Sequence, residues 1–142
     1  MIVIDTSVVS AIMRAHLDPV IAAWLTSQDI DRLYVTSPTI FEIRFGIEMK
    51  PHGRRRNDLE ASFAEIIDVL LARRVLDFSD GAAVAAARAR ALQKARGITA
   101  SIPDSQFAGI ALARGAPVAT RDILDFSHIG LQVIDPWKPN TP

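Results

Sequence analysis

Cysteine is absent from this 142-residue chain, which excludes disulfide scaffolds, thiolate zinc sites, iron–sulfur clusters and cysteine nucleophiles together. The absence fits a reducing compartment. An excess of charge is missing as well, because sixteen basic and sixteen acidic side chains cancel. This excludes bulk attraction of a basic domain for phosphate and leaves only local basic patches. Aromatic residues amount to 6%, and Trp24 and Trp137 read as packing residues rather than base-stacking platforms. No apolar run approaches the length of about 18 residues that a bilayer span needs. The best candidate, Ile66 to Ala72, contains Asp68. The opening Met1-Ile2-Val3-Ile4-Asp5 has no basic stretch ahead of its apolar residues, so it does not read as a signal peptide. With 49% hydrophobic and 23% charged residues, the chain is expected to be soluble and cytoplasmic, with residues 1–142 forming a single domain.

What is present is an alternation of strand and helix signals. Ile2-Val3-Ile4 is a continuous β-branched run without polar alternation, which suits a strand buried on both faces of a parallel sheet. Further strand runs are Leu33 to Thr36, Val75 to Phe78, Pro117 to Thr120 and Leu131 to Ile134. Between them lie helical segments: from Thr6, about Asp18 to Gln28, Ser37 to Lys50, Arg54 to Arg74, Asp80 to Arg96 closed by Gly97, and Pro103 to Arg114 closed by Gly115. The pattern predicts an α/β fold with a mainly parallel sheet of about five short strands flanked by helices. Ligands in such folds bind beyond the carboxyl ends of the strands. The tail from Asp135 to Pro142 is expected to lie across the surface.

Four acids stand where this fold would gather them. Asp5 and Asp122 follow strand runs and should project from the same sheet edge, although each also suits a helix cap or a turn. Glu42 sits in the apolar start Ile40-Phe41-Glu42-Ile43 and shares a helix face with Phe45, Gly46 and Met49. Gly46 is expected to admit a close backbone. Asp104 heads an apolar stripe of Phe107, Ala108 and Ala111, while Ser101 before it reads as the helix cap. Two unit charges about 4 Å apart repel by roughly 4 kcal/mol at an effective dielectric of 20, so clustered carboxylates need a compensator. With oxygen donors, no cysteine and three scattered histidines, a hard divalent cation such as Mg²⁺ or Mn²⁺ is the natural one.

These residues resemble the PIN-domain nucleases. The resemblance rests on Asp5-Thr6-Ser7, on Glu42 with Gly46, on Asp104 ahead of Ile110-Ala111-Leu112-Ala113, and on Ala119-Thr120-Arg121-Asp122 followed by Asp125-Phe126. Within that family the chain most resembles the VapC-type toxins of toxin–antitoxin pairs. The ending Ile134-Asp135-Pro136-Trp137 is similar to that of the FitB-like branch. The resemblance implies a PIN-like three-layer fold and Mg²⁺-dependent RNA hydrolysis, with Asp5, Glu42, Asp104 and Asp122 as metal-ligating acids and Thr6 and Thr120 as supporting hydroxyls. It also implies a homodimer held inactive by a small VapB-like antitoxin, which occludes the acidic site and reaches DNA on the toxin's behalf. Two positions depart from the commoner pattern: Ser7 stands where Asn is frequent, and Ser101-Ile102-Pro103 precedes the third acid. Both are expected to bear on substrate more than on activity.

Arg54-Arg55-Arg56 is the one dense basic run. It reads either as a solvated face or as a phosphate-steering patch, to which Arg121, Arg44 and Arg114 could add. His16, His52 and His128 share no spacing and receive no role. A receiver-type domain would need an acid pair after the first strand, and a haloacid-dehalogenase-like phosphatase an acid at position 7. Ser7 argues against both. A binding module that acts mainly within an antitoxin–toxin DNA complex remains the alternative to a nuclease.

Overall fold

β1 (Ile2–Ile4) is the middle strand because its three residues are apolar on both sides: Ile2 and Ile4 enter one core cluster and Val3 the other. In this computed structural model, which describes residues 1–138, the other strands are β2 (Leu33–Thr36), β3 (Val75–Leu76), β4 (Val118–Ala119) and β5 (Val133–Ile134). They pair in the order β3-β2-β1-β4-β5, all parallel, with Val3 in register with Tyr34 and Val118. Parallel pairing requires a crossover between strands, and helices supply it. The expected tail begins within this frame at Asp135, while residues 139–142 lie outside the described part.

One sheet face carries α1 (Thr6–Ile12), α2 (Pro19–Ser27), α3 (Ser37–Glu48) and α4 (Arg54–Glu65). Val8, Val9, Trp24, Ile43, Ile47 and Phe63 pack there on Ile4, Leu33 and Val35. The opposite face carries α5 (Asp80–Ala95), α6 (Ile102–Arg114) and α7 (Ile123–Phe126), whose Ala82, Ala89, Phe107, Ala108 and Phe126 pack on Val3 and Val118. The result is the expected three-layer α/β fold. Between β1 and β4 the strand order reverses, and in such sheets ligands bind beyond the carboxyl ends at that switch point. Among the described residues no helix is long and apolar enough to cross a membrane.

The helices start where the caps predict. Asp5, Asp18, Thr36, Ser79 and Ser101 each accept a backbone N–H from the first turn of the helix that follows, and α6 ends on Gly115 in the left-handed region at φ 60°. Other expectations are corrected. The helix drawn from Arg54 to Arg74 stops earlier: after α4 the turn widens to a π-helical segment, Ile66–Leu70, and the chain reverses through Ala72 and Arg73 at φ 45° and 57°. The Arg74 guanidinium fastens this reversal by donating to the carbonyl oxygens of Ile30, Leu33 and Leu70, which drives the chain into β3 two residues shorter than expected. α7 was not expected, because four residues are too few to show a period.

Two further corrections concern α3 and its glycine. Phe41, Phe45 and Met49 are exposed, the two rings stacked with centroids 6.2 Å apart, so the face that Glu42 shares with them is outward and the buried stripe is Thr39, Ile43 and Ile47. A Cβ on Gly46 would meet nothing within 4 Å. The close backbone approach belongs to Gly109 of α6, where a Cβ would lie 2.3 Å from the Ala82 carbonyl oxygen and 2.6 Å from the Ala86 nitrogen. This glycine lets α5 and α6 press together.

Candidate metal centre

The Asp5 N–H donates to the Ala119 carbonyl at 3.1 Å, so the ends of β1 and β4 lie side by side and the residues beyond them meet. Asp5 is buried, and both carboxylate oxygens are occupied. One accepts Ser7 Oγ at 2.5 Å and Val8 N at 3.1 Å, and the other accepts the Thr120 hydroxyl. Thr120 Oγ1 accepts Asp122 N at 2.9 Å, and Ser7 Oγ accepts Arg121 N at 3.1 Å. The two turns are therefore stitched together by hydroxyls. Thr6 donates to Glu42 Oε1 at 2.8 Å, which ties α3 to the start of α1. Asp104 is fixed in the first turn of α6 by its N–H to Ser101 Oγ at 3.1 Å.

Electrostatics shows which acids share a field. Burial pushes the Asp5 carboxyl above the usual range against three hydrogen bonds that lower it, and the Asp122 charge pushes it further. Glu42 is raised by burial, opposed by the Thr6 hydrogen bond, and raised again by the charges of Asp104 and Asp5. Asp125 is raised by burial and then by Asp122 and Asp104. All four sequence-predicted acids thus belong to one mutually repelling group, which Asp125 of α7 joins as a fifth. Its signal was three-residue spacing from Asp122, too local to separate from a turn acid. Ser7, whose place in the pattern departs from the commoner Asn, donates its hydroxyl to Asp5.

Among the described residues no ion pair reaches any of these five acids. Nor do three acidic or imidazole side chains already stand at the spacing of a closed cage among them. All-oxygen donors that repel one another yet stay open fit Mg²⁺, which keeps several waters and takes one or two carboxylates. The fit yields a prediction. A carboxyl raised on folding favours the protonated fold, so its contribution to stability is present at low pH and lost as pH rises through the raised pKa. A divalent cation bound there would compensate the ionised acids and would compete with protons below that point. Mg²⁺ at a hundred times its dissociation constant is expected to add about 2.7 kcal/mol at pH 7.5 and clearly less at pH 5. Thermal unfolding with Mg²⁺ or EDTA at both pH values checks this, and equal increments would refute it.

The arginines divide. Arg54 and Arg55 line a groove of about 1050 Å³ between α1, α3 and α4 that has Thr6 and Glu42 in its wall. Arg56, expected as a phosphate contact with them, is committed elsewhere: it bonds Glu48 at 2.9 Å, Glu60 at 3.1 Å and the Lys50 carbonyl at 3.3 Å. It is thereby drawn inward, its side chain 12% exposed. Arg44 pairs with Glu48. The Arg121 guanidinium lies over the Trp137 ring at 4.9 Å, and Trp137 packs on the core as expected.

A parallel sheet with uncompensated acids gathered at its crossover edge is the signature of proteins that manage hard cations and phosphates there. The chain belongs to the PIN-domain family, whose model matches residues 2–130. It is 37% identical over 139 residues to the VapC ribonuclease Y4jK of Sinorhizobium fredii, covering 98% of this chain and 99% of that protein. It is 31% identical over 137 residues to the toxin FitB of Neisseria gonorrhoeae, covering 96% and 99%. The solved structure of FitAB bound to an IR36 DNA fragment superposes with a TM-score of 0.88 at 30% identity, covering 99% of both chains.

Proposed function

We propose that this chain is the toxin of a toxin–antitoxin pair and hydrolyses RNA as a Mg²⁺-dependent endoribonuclease, with Mn²⁺ able to substitute. The observation that carries this reading is that burial and the neighbouring charges of Asp122, Asp104 and Asp5 raise the carboxyls of Asp5, Glu42 and Asp125, with no cationic partner for any of these acids among the described residues. Asp5 and Asp104 are the principal carboxylates for the ion, Asp122 completes the set, and Glu42 holds a second ion or orients the water. When bound, the ion offsets negative charge building on the phosphate and eases deprotonation of a water.

The chain's own residues supply the rest. Ser7 and Thr120 fix the Asp5 carboxylate through both oxygens. Thr6 holds Glu42 by one oxygen, and burial raises its basicity, so it is poised to take the proton of the attacking water. The water oxygen bonds to phosphorus as the bond to the 3′ oxygen breaks in line, leaving 5′-phosphate and 3′-hydroxyl ends. Arg54, Arg55 and Arg121 steer the RNA backbone towards the acids.

The protein acts in the cytoplasm as a homodimer and is silenced by a VapB-like antitoxin. The groove beside Glu42 supports this partner, because a peptide laid in it could bring an arginine to the carboxylates. DNA is reached only through that antitoxin. The second reading is a PIN-fold binding module that acts mainly within an antitoxin–toxin DNA complex with little or no nuclease activity, and the DNA-bound FitAB structure supports the DNA-complex part of it.

Purified protein and its Asp104→Asn variant, incubated with a mixed RNA pool and Mg²⁺, Mn²⁺ or EDTA, separate the two. Cleavage is expected with either ion, none in EDTA, and a loss of about a hundredfold or more in the variant, ~2.7 kcal/mol of barrier. Cleavage that survives EDTA or the substitution overturns the nuclease reading. No cleavage in any condition favours the binding module.

A further inference from the structure

The acids of the centre arrive on separate supports: Asp5 follows β1, Glu42 lies on α3, Asp104 opens α6, and Asp122 and Asp125 belong to the short α7 segment. Asp5, Thr120 and Asp122 are joined to one another directly, and Glu42 is joined to α1. Among the described residues Asp104 has no such link to β1, and Asp125 reaches it only through its N–H to the Asp122 carbonyl at 3.2 Å. Both are instead fastened to α5, a helix that contributes no acid to the centre.

Arg90 Nη1 donates to the Ala100 carbonyl at 2.9 Å and to Ser105 Oγ at 3.0 Å. Ser105 is buried next to Asp104 and itself donates to the Ser101 carbonyl, while Ser101 caps the Asp104 N–H. One guanidinium thus braces both the loop before α6 and its first turn. One helical turn on, Gln93 is 1% exposed, and its Nε2 donates to the Asp125 carbonyl at 2.7 Å. Among the described residues its Oε1 has no partner. A buried amide left half satisfied costs stability, and this one stands where α5 meets α7. Arg96, three residues further, donates to the His128 carbonyl at 3.1 Å and closes the end of the same segment.

Arg90 and Gln93 stand three residues apart on α5 and Arg96 is its C-cap, so the donors follow one another along the end of the helix. The row reads as a rack. Gly109 keeps that rack close, since the α5–α6 contact tolerates no Cβ there. The donor targets are the carbonyls of Ala100, Asp125 and His128 and the Ser105 hydroxyl, none of which sheet pairing holds.

We propose that Arg90 and Gln93 are positioning residues: α5 holds Asp104 with one and the Asp122–Asp125 segment with the other, and so sets how tightly the carboxylates take up a divalent cation. The inference rests on the nuclease reading above. Repelling carboxylates drift apart unless their backbones are restrained, and the loss of a restraint lowers cation affinity before it lowers folding.

The test is Mn²⁺ binding by calorimetry to the full chain, with thermal unfolding in EDTA and RNA cleavage measured alongside. The variants are Gln93→Met, Arg90→Met and Arg90→Lys, with Lys94→Met as a charge-removal control on the same helix. Gln93→Met and Arg90→Met are expected to weaken Mn²⁺ binding about fivefold to tenfold and to lower kcat with KM for RNA unchanged. Arg90→Lys, which keeps a donor in reach, recovers most of the loss, and Lys94→Met matches wild type. If the Met variants lower only the unfolding temperature and bind Mn²⁺ as wild type does, the residues are structural and the proposal falls. If Gln93→Met does not fold, the Arg90 pair decides by the same criterion. If wild type itself neither binds Mn²⁺ nor cuts RNA, the nuclease reading falls first and this inference with it.

Discussion

Asp5→Asn is expected to reduce Mg²⁺-dependent RNA cleavage about a thousandfold, ~4 kcal/mol of barrier, while leaving the metal-free fold at least as stable at pH 7. The two effects have one cause. Asp5 ionises in a buried place where desolvation outweighs hydrogen bonds from Ser7, Thr120 and Val8, and Asp122 adds repulsion. Asn keeps the cap, since its Oδ1 can accept the Val8 N–H and the Ser7 hydroxyl, and Asn and Asp are equal helix caps. Its Nδ2 meets Thr120 Oγ1, whose hydroxyl hydrogen can turn away. No charge then needs burying.

The pH dependence follows with its sign. The wild-type carboxyl has a folded pKa above its unfolded one, so wild type regains stability as pH falls through that raised value, and the difference from Asn shrinks. Urea unfolding of both proteins in EDTA at pH 7 and pH 4 checks it. A loss above about 2 kcal/mol in the variant at pH 7 would make Asp5 a structural cap first and a ligand second.

Gly109→Ala and Gly46→Ala are expected to have opposite signs, although both exchange a helical glycine for alanine. Alanine in a helix interior gains up to about 1 kcal/mol over glycine. At Gly46 nothing opposes that gain, because the new methyl meets open space at the groove. At Gly109 the methyl would stand 2.3 Å from the Ala82 carbonyl oxygen and 2.5 Å from the Ala86 Cβ. Neither is the end of a flexible side chain, so α5 and α6 must separate.

Overpacking of this kind costs typically 1–3 kcal/mol and sometimes more, so a net loss of about 2 kcal/mol and a midpoint lowered by roughly 4–8 °C are expected. Separation also moves Asp104 relative to α5, so activity per folded molecule should fall. Parallel urea titrations of the two variants decide it. A stabilised Gly109→Ala would mean that the two helices are not locked as described.

Much of this was legible along the chain because the determinants are local. Ile2-Val3-Ile4 requires burial on both faces wherever it sits, and a strand buried on both faces in a chain of alternating helices belongs inside a parallel sheet. Asp18, Ser79 and Ser101 each act within three residues of themselves, so the helix starts could be read directly. Asp5 and Asp122 could be assigned to one sheet edge because chain direction puts the end of every parallel strand on the same side. What local pattern could not contain is relative placement across the chain. Gly46 and Gly109 look alike until the packing of α5 on α6 makes one of them indispensable. Phe41 and Phe45 are as apolar as any core residue, and only the seating of α3 turns them outward. Arg56 differs from Arg54 and Arg55 solely in what lies within reach, Glu48 and Glu60. Asp125 joins the acids because α7 folds back beside Asp104, and Gln93 and Arg90 acquire partners more than nine residues away. The sequence by itself determined the elements, their direction and the acids at their ends, since these follow from neighbours along the chain. The tertiary structure decided which side chains share a field and which glycine admits a helix, since those depend on distances through space that no local spacing encodes.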